Sequence, residues 1–433
     1  MPKPHVLIIG GGLGGLTLAQ VLRKHGVTFE IFERDANERS RKQGWSLGLH
    51  EQVNSASIPR FYILDQLEEQ TPDDLPPFQE SVAALGPFLK TLPDQVGLYF
   101  DNDFGVDKRM GIEDDVDGRW TRVNRTKLRV WLATHINIQW SKTLIKIEQT
   151  SDEKVIATFA DGTTASGDIL VGADGSMSHV REYILSKPNS EILEALPIST
   201  IIGEVTLTGE ALARQLEIAH SVALLGVMPQ DHYSIMLQGL VNVHPDGESA
   251  DYFWILSWHD PVAQHTGRSL INELDAAQRL DFARRYTAHM GPHLTTLIRH
   301  TAPEGLRLGA WVPRDGIIDS IPVGRATLLG DAAHPTSPFR GEGGVNAIRD
   351  ALNLGQLLAG LNSADREPVL EAVKAYQDEM VPRGVSVVRG ARELLSIVRD
   401  GYGEVRVGGR PVSRLPSEKI ELGPEGARRT ILE

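Results

Sequence analysis

The sequence contains no cysteine among its 433 residues. That excludes a disulfide scaffold, a Cys-ligated zinc or iron–sulfur site, a thiolate haem and a cysteine nucleophile. Basic residues are in deficit too: 44 Lys and Arg stand against 57 Asp and Glu, a formal charge of −13. Whole-chain binding to nucleic acid or to an anionic membrane uses basic surfaces, so neither is expected. No Gly/Ser tract, low-complexity run or internal repeat is visible.

Long apolar runs are scarce. The nearest is Val6 to Leu22, but five glycines interrupt it and Arg23, Lys24 and His25 follow directly. A strand, turn and helix explain that stretch better than a membrane span. Met1-Pro2-Lys3-Pro4 runs straight into it and does not read as a signal peptide, so a cytoplasmic protein is expected. What remains is an ordinary globular composition, 41% apolar and 23% charged, long enough for two or three domains. Glycine alone is in excess, with 42 residues. That is about 10% against an average near 7%, and the surplus clusters at a few places.

The pattern predicts a strand over 5–9, a helix over 14–25 and a strand over 28–32, which make one βαβ unit. A Pro- and Asp-rich connection covers roughly 71–94. A helix is expected from Thr126 to Ile136, with Leu128, Trp131, Leu132 and Ile136 on one face. Strands follow at 143–148 and 154–159, with a turn at Ser151-Asp152-Glu153, and at 168–172. From about 186 to 304 the texture changes to strands (201–207, 221–228, 233–237, 252–258), which suggests an antiparallel sheet. Strand character returns over 305–331, and a Gly-rich loop feeds a helix from Val345 to Leu361. The remainder reads as helical to about Val398, then as a loosely held polar tail. The expected fold is α/β: a parallel, Rossmann-like sheet (1–185 and 305–361), an antiparallel second domain (186–304) and a C-terminal helical region with its tail (362–433).

Three motifs carry the chemistry. Gly10-Gly11-Gly12-Leu13-Gly14-Gly15 satisfies G-x-G-x-x-G through Gly10, Gly12 and Gly15. These glycines permit a tight turn, close approach of a pyrophosphate and close packing of helix on strand. The helix start supplies unpaired N–H groups and partial positive charge to the anion. Glu33 ends the second strand, placed to accept both ribose hydroxyls of an adenosine. This predicts a dinucleotide site without separating FAD from NAD. Next, Val123-Asn124-Arg125-Thr126-Lys127-Leu128 puts Arg125 at a helix start, where a cation opposes the dipole unless an anion is bound. A solvated surface arginine is the competing reading. The third motif is Gly330-Asp331-Ala332-Ala333-His334-Pro335, followed by Pro338-Phe339-Arg340-Gly341-Glu342-Gly343-Gly344. Asp331 at a strand end suits a polyol hydroxyl, and the next helix start suits an atom that gains negative charge on reduction. His334 is as readily a structural hydrogen-bonder as a catalytic group.

In order and spacing, these motifs resemble the single-component, class A FAD-dependent monooxygenases of the para-hydroxybenzoate hydroxylase fold. The stretch from Asp168 to Arg181, with Gly172-Ala173-Asp174-Gly175, resembles that family's mid-chain "DG" motif, so the likeness spans positions 5 to about 360. By that resemblance Gly10, Gly12, Leu13, Gly14 and Gly15 hold the pyrophosphate and Glu33 the ribose. Arg34, Ser46 and Leu144 line the cofactor, Arg125 approaches the phosphates, and Asp331 meets the ribityl chain. Gly343, Gly344 and Val345 present main-chain N–H groups to the flavin ring. Asp174 and Arg181 organise the flavin and a transient NADPH or NADH contact. Val345 stands where the family usually has Asn, with Asn346 one place late, and Glu342 stands where many members have Gln. The implied reaction is NAD(P)H- and O2-dependent insertion of one oxygen atom into a small, largely apolar or aromatic molecule, through a flavin C4a-hydroperoxide and with tightly bound FAD. Hydroxylation or epoxidation is the implied outcome, and Baeyer–Villiger insertion less so. Phe339, Arg340 and Trp254 are the candidate substrate contacts, Trp254 from a strand that reads more readily as ordinary core.

Two lookalikes fail on context. Gly44-Trp45-Ser46-Leu47-Gly48 matches the G-x-S-x-G elbow of hydrolases, but residues 33–43 lack the hydrophobic strand it needs. His289 and His293 have i, i+4 spacing, but Gly291 and Pro292 break the helix that would bring them together, so no metal site is read. The rivals are a same-fold flavin reductase or oxidase and a non-catalytic FAD-binding regulator. A flavin halogenase lacks its W-x-W-x-I-P signature here.

Overall fold

The computed structural model describes residues 3–40, 45–50, 63–89, 92–99, 110–113, 120–151, 153–227, 234–307, 309–400, 406–407, 410–411, 413–415, 418–423 and 426–432. Gly44, Asp152 and the 228–233 ends of two expected strands lie outside them.

Strand β1 (Val6–Ile9) leads into helix α1 (Leu13–Lys24) and strand β2 (Phe29–Phe32). Helix α2 (Arg125–Leu132) follows, capped by the Asn124 side chain accepting from the Lys127 amide. It stops four residues short of the expected Ile136; His135, with φ +60°, bends the chain there into the short strand Ile138–Gln139. Strand β3 (Ile169–Gly172), helix α3 (His179–Leu185), strand β4 (Ala326–Leu328) and helix α4 (Gly343–Ala359) complete this half. Its sheet runs β4-β3-β1-β2 and then Ile138–Gln139, parallel throughout. Continuous apolar runs such as Val6-Leu7-Ile8-Ile9 suit such a sheet, because helices cover both faces and every residue is buried. Helix α1 packs along α4, and the long helix α5 (Arg366–Asp400) packs on α4 from behind.

The second sheet has seven strands, in the order Ile198–Thr208, Ser249–His259, Ser234–Val243, Val222–Val227, Gln95–Tyr99, Met110–Glu113 and Ser413–Arg414. It is antiparallel except where Val222–Val227 pairs parallel with Gln95–Tyr99. One face buries Tyr252, Trp254, Leu256 and Trp258 against helices Gly209–Ala219, Ala276–Tyr286 and Thr296–His300. The other face carries Ile202, Phe253 and Ile255 toward Trp45. Between the halves, Ser46–His50 pairs antiparallel with Trp120–Asn124.

The tail departs from expectation. Glu418–Gly423 and Gly426–Ile431 form a hairpin, with Ile420 buried and the fully buried Glu418 accepting from Arg429 Nε and Gln95 Nε2. Its alternation, Glu418-Lys419-Ile420-Glu421, has the period of two that a half-buried strand needs. No helix among the described residues is long and apolar enough to cross a membrane.

Candidate active site

The glycine loop shows why each glycine is there. Gly10 has φ +116°, and a Cβ on it would fall 2.2 Å from the Ala173 carbonyl oxygen. A Cβ on Gly15 would fall 2.0 Å from the Gly10 carbonyl oxygen, so that pair sets the turn and the contact of helix with strand. Gly12 is different. No described residue lies within 4 Å of a Cβ built there, although its backbone (φ −82°, ψ −174°) suits any residue. Gly14 faces the other way, toward Leu329 and Ala347 in the contact of α1 with α4.

The loop floors a cleft of ≈ 790 Å³, its solvent-open mouth included, lined among others by Glu33, Arg34, Arg125, Arg129, Leu144, Asp174 and His179. Glu33 is buried, its carboxylate accepting from the amides of Gly11 (2.8 Å) and Asp35 (3.0 Å). That fixes the acid above the loop. Asp174 Oδ2 accepts from the amides of His179 (2.8 Å) and Val180 (3.3 Å), while Oδ1 is buried without a partner among the described residues. Burial raises the Asp174 carboxyl, against the hydrogen bonds from Ser178 and these amides. Arg125 is half-buried, its amide donating to the Trp45 carbonyl (3.1 Å). Burial lowers its pKa, opposed by the charge of Asp331.

Two helices begin side by side here. A Cβ on Gly344, second residue of α4, would lie 3.8 Å from Leu13 Cδ1, the first residue of α1. Neither start has a side-chain cap or an acidic residue in its first turn. Each therefore leaves backbone N–H groups facing outward, and the two partial positive charges reinforce one another. Asp331 lies beside the start of α4, with Oδ1 3.6 Å from where a Cβ on Gly343 would fall. Its side chain reaches solvent while protein packs around it. Those surroundings push its carboxyl up, against the pull of His334, Arg125 and Arg181. Arg181 is fully buried and donates to the carbonyls of Asp331 (3.2 Å), Ala332 (3.0 Å) and Ser176 (2.5 Å). It thereby ties the Asp174 loop to the Asp331 loop; burial lowers its pKa to about 10.

Several expected contacts point elsewhere. Ser46 is buried, donating to the Leu240 carbonyl and accepting from Arg122 Nε (2.8 Å), so its hydroxyl joins the two sheets and not the cleft. Those bonds also leave it no role as an elbow nucleophile. Val345 is fully buried in the core of the parallel half, so only its main chain can face a ligand. Asn346 donates to the Glu342 carbonyl (2.9 Å) and accepts from Arg383 (2.8 Å). Trp254 is fully buried, its Nε1 donating to Thr301 Oγ1 (2.8 Å), and belongs to the core that the competing reading assigned it. Phe339 is half-buried and Arg340 exposed, the latter paired with Glu342 (2.8 Å). His334 Nε2 lies 2.7 Å from Asp350, a structural bond. His289 and His293 follow a helix that ends at Tyr286.

The comparisons bear on what such a site holds. Residues 3–391 match the family model described as FAD binding domain. The chain is 40% identical over 393 residues to FAD-dependent monooxygenase thnD of Trichoderma harzianum, covering 90% of this chain and 92% of that one. This chain belongs to the FAD-dependent monooxygenases. Solved structures share the fold. The 2,6-dihydroxypyridine-3-hydroxylase of Arthrobacter nicotinovorans aligns with TM-score 0.70 at 17% identity, over 97% of this chain and 99% of that one. Klebsiella pneumoniae HpxO, complexed with FAD and uric acid, aligns with TM-score 0.68 at 20% identity, over 92% and 89%.

Two residues of this monooxygenase escaped the sequence reading. Arg129 lines the cleft and donates from Nε to the Gly11 carbonyl (3.0 Å). Its signal was its place one helical turn after Arg125, which puts both on one face. Arg122 is buried beneath the second sheet, its guanidinium 5.6 Å from the Phe253 ring centre, and burial lowers its pKa to about 10. Nothing local distinguishes it from a surface strand arginine.

Proposed function

We propose that the FAD of this monooxygenase lies across the two helix starts, its pyrophosphate at Gly10–Gly15 and its ring at Gly343 and Gly344. The observation carrying this is the pair of adjacent uncapped helix N-termini, with the Asp331 carboxylate beside the start of α4. The residues fit the group: among the described residues, nothing lies within 4 Å of a Cβ on Gly12 and the buried Asp174 Oδ1 has no donor. When bound, FAD supplies the electron transfer and oxygen activation. The chain's own part is electrostatic and positional. Glu33 accepts ribose hydroxyls, Asp331 a ribityl hydroxyl, and the first-turn amides of α4 favour negative charge on the ring. Arg125 balances the phosphates.

The substrate is a small, largely apolar or aromatic molecule, and NADPH or NADH is the reductant. The apolar face formed by Ile202, Phe253, Ile255 and Trp45 supports the first statement. Trp45 brings that face to Arg125 through their main-chain hydrogen bond. The test is a purified yellow protein offered NADPH or NADH, a panel of aromatic substrates and isotopically labelled O2. One labelled atom in the product supports the reading; flavin reduction without label in any product sinks it. Asp331→Ala should release flavin, and unchanged flavin content would remove Asp331 from its role.

A further inference from the structure

Helix α5 contains an unusual tripeptide, Pro382-Arg383-Gly384, well inside its span Arg366–Asp400. Proline there removes a helix hydrogen bond, and glycine in a helix interior is the poorest choice after proline. The neighbours account for both oddities. A Cβ on Gly384 would fall 2.9 Å from His334 Cβ, and one on Gly390 would overlap the Arg340 guanidinium. The helix is thus relieved of side chains where the 330–344 loop rests on it.

Arg383 is the anchor between them. It is buried and donates to Asp350 Oδ1 (2.6 Å), Asn346 Oδ1 (2.8 Å) and both Glu379 oxygens (2.9 Å each). Asp350 Oδ2 accepts from the Gly330 amide (2.7 Å) and from His334 Nε2 (2.7 Å), the two ends of the turn carrying Asp331. Asn346 in turn donates to the carbonyl of Glu342, the residue before the first-turn amides of Gly343 and Gly344. Burial alone would raise the Asp350 carboxyl, but His334 and Arg383 overcome it and hold the group well below the usual range. Both halves of the flavin-facing loop therefore hang from one guanidinium that touches neither.

We propose that Arg383, seated by Gly384, is a positioning residue: it sets the spacing between Asp331 and the α4 amides, and so the affinity and reduction potential of bound flavin. This rests on the assignment of those groups to FAD. Two variants test it independently. Arg383→Lys keeps the charge but lacks the fork that reaches three acceptors at once. Gly384→Ala removes no hydrogen-bonding group, raises helix propensity and pushes His334.

FAD titration of stripped apoprotein and spectroelectrochemistry of the holoprotein are the readouts, with the apoprotein melting temperature as control. Both variants should weaken FAD binding about tenfold and make the potential more negative, while the apoproteins melt within about 5 °C of wild type. A folded variant with wild-type Kd and potential overturns the proposal. So does a Lys variant whose only change is a lower melting temperature, since that marks a purely structural role. If Arg383→Lys does not fold, Gly384→Ala decides alone. Asp331→Ala separates the levels. If it loses FAD while the other two do not, the site assignment stands and the positioning role falls. If Asp331→Ala keeps wild-type affinity, both fall.

Discussion

Replacing Gly12 and Gly15 by alanine in turn separates what the fold needs from what the cofactor needs. At Gly12 an added methyl meets no atom of the described residues within 4 Å, and the backbone conformation is open to alanine. Loss of unfolded-chain freedom would stabilise by about 0.4–1 kcal/mol. Alanine is a poorer N-cap than glycine, which offsets this by a similar amount, about 0.5–1 kcal/mol. The apoprotein should therefore melt close to wild type. If the pyrophosphate fills that space, the methyl intrudes on it, and overpacking of this kind costs about 1–3 kcal/mol. That corresponds to FAD binding weaker by roughly 5- to 150-fold. Gly15→Ala inverts the pattern, because its Cβ would fall 2.0 Å from the Gly10 carbonyl, against backbone that cannot step aside. Its apoprotein should lose at least about 3 kcal/mol, or fail to fold. Urea melts of stripped protein and flavin-fluorescence titration give both quantities. Gly12→Ala holding FAD at wild-type affinity would refute the reasoning, as would an apoprotein destabilised as badly as Gly15→Ala.

Two further outcomes follow from buried groups. Asp94 is buried, accepting from Ser221 Oγ (2.6 Å) and the Arg122 amide (2.8 Å), and burial pushes its carboxyl up to about 6. A raised carboxyl favours folding most when protonated, so its contribution is complete below about pH 4 and is lost as pH rises through 6. Asp94→Asn should then be more stable than wild type at pH 8, by up to ~3 kcal/mol, with no gain at pH 4; equal gains at both values in urea melts would contradict it. Trp254→Ala should cost ~3–5 kcal/mol of stability and leave FAD affinity within about twofold of wild type. A folded variant with impaired flavin or substrate binding would instead return Trp254 to the site.

The glycine loop was legible because its spacing is dictated locally: Gly10 needs a positive φ and Gly15 must clear the Gly10 carbonyl. The same holds for β1 and β3, whose unbroken apolar runs admit little but a buried parallel strand. Side-chain partners were another matter. Alternation along 252–258 puts Trp254 and Phe253 on opposite faces, but it does not say which face turns toward the cofactor. Ser46 resembled a cofactor contact until its bonds to Leu240 and Arg122, far away in sequence, were seen. The Arg383 anchor left only the trace of a Pro and a Gly inside a helix, and its reason lies in residues 330–350.

The order of strands in the parallel sheet also bears on how the chain is made. Strand β3 (Ile169–Gly172) has β1 on one side and β4 (Ala326–Leu328) on the other. At synthesis rates of about 5–20 residues per second, the intervening stretch of about 150 residues takes roughly eight to thirty seconds to emerge. Through that interval β3 presents an apolar, unpaired edge, the kind of surface that recruits other chains. The nascent enzyme is thus most prone to aggregate after its glycine loop exists and before Asp331 arrives. A ribosome stall between those points should harm its yield more than one near either end.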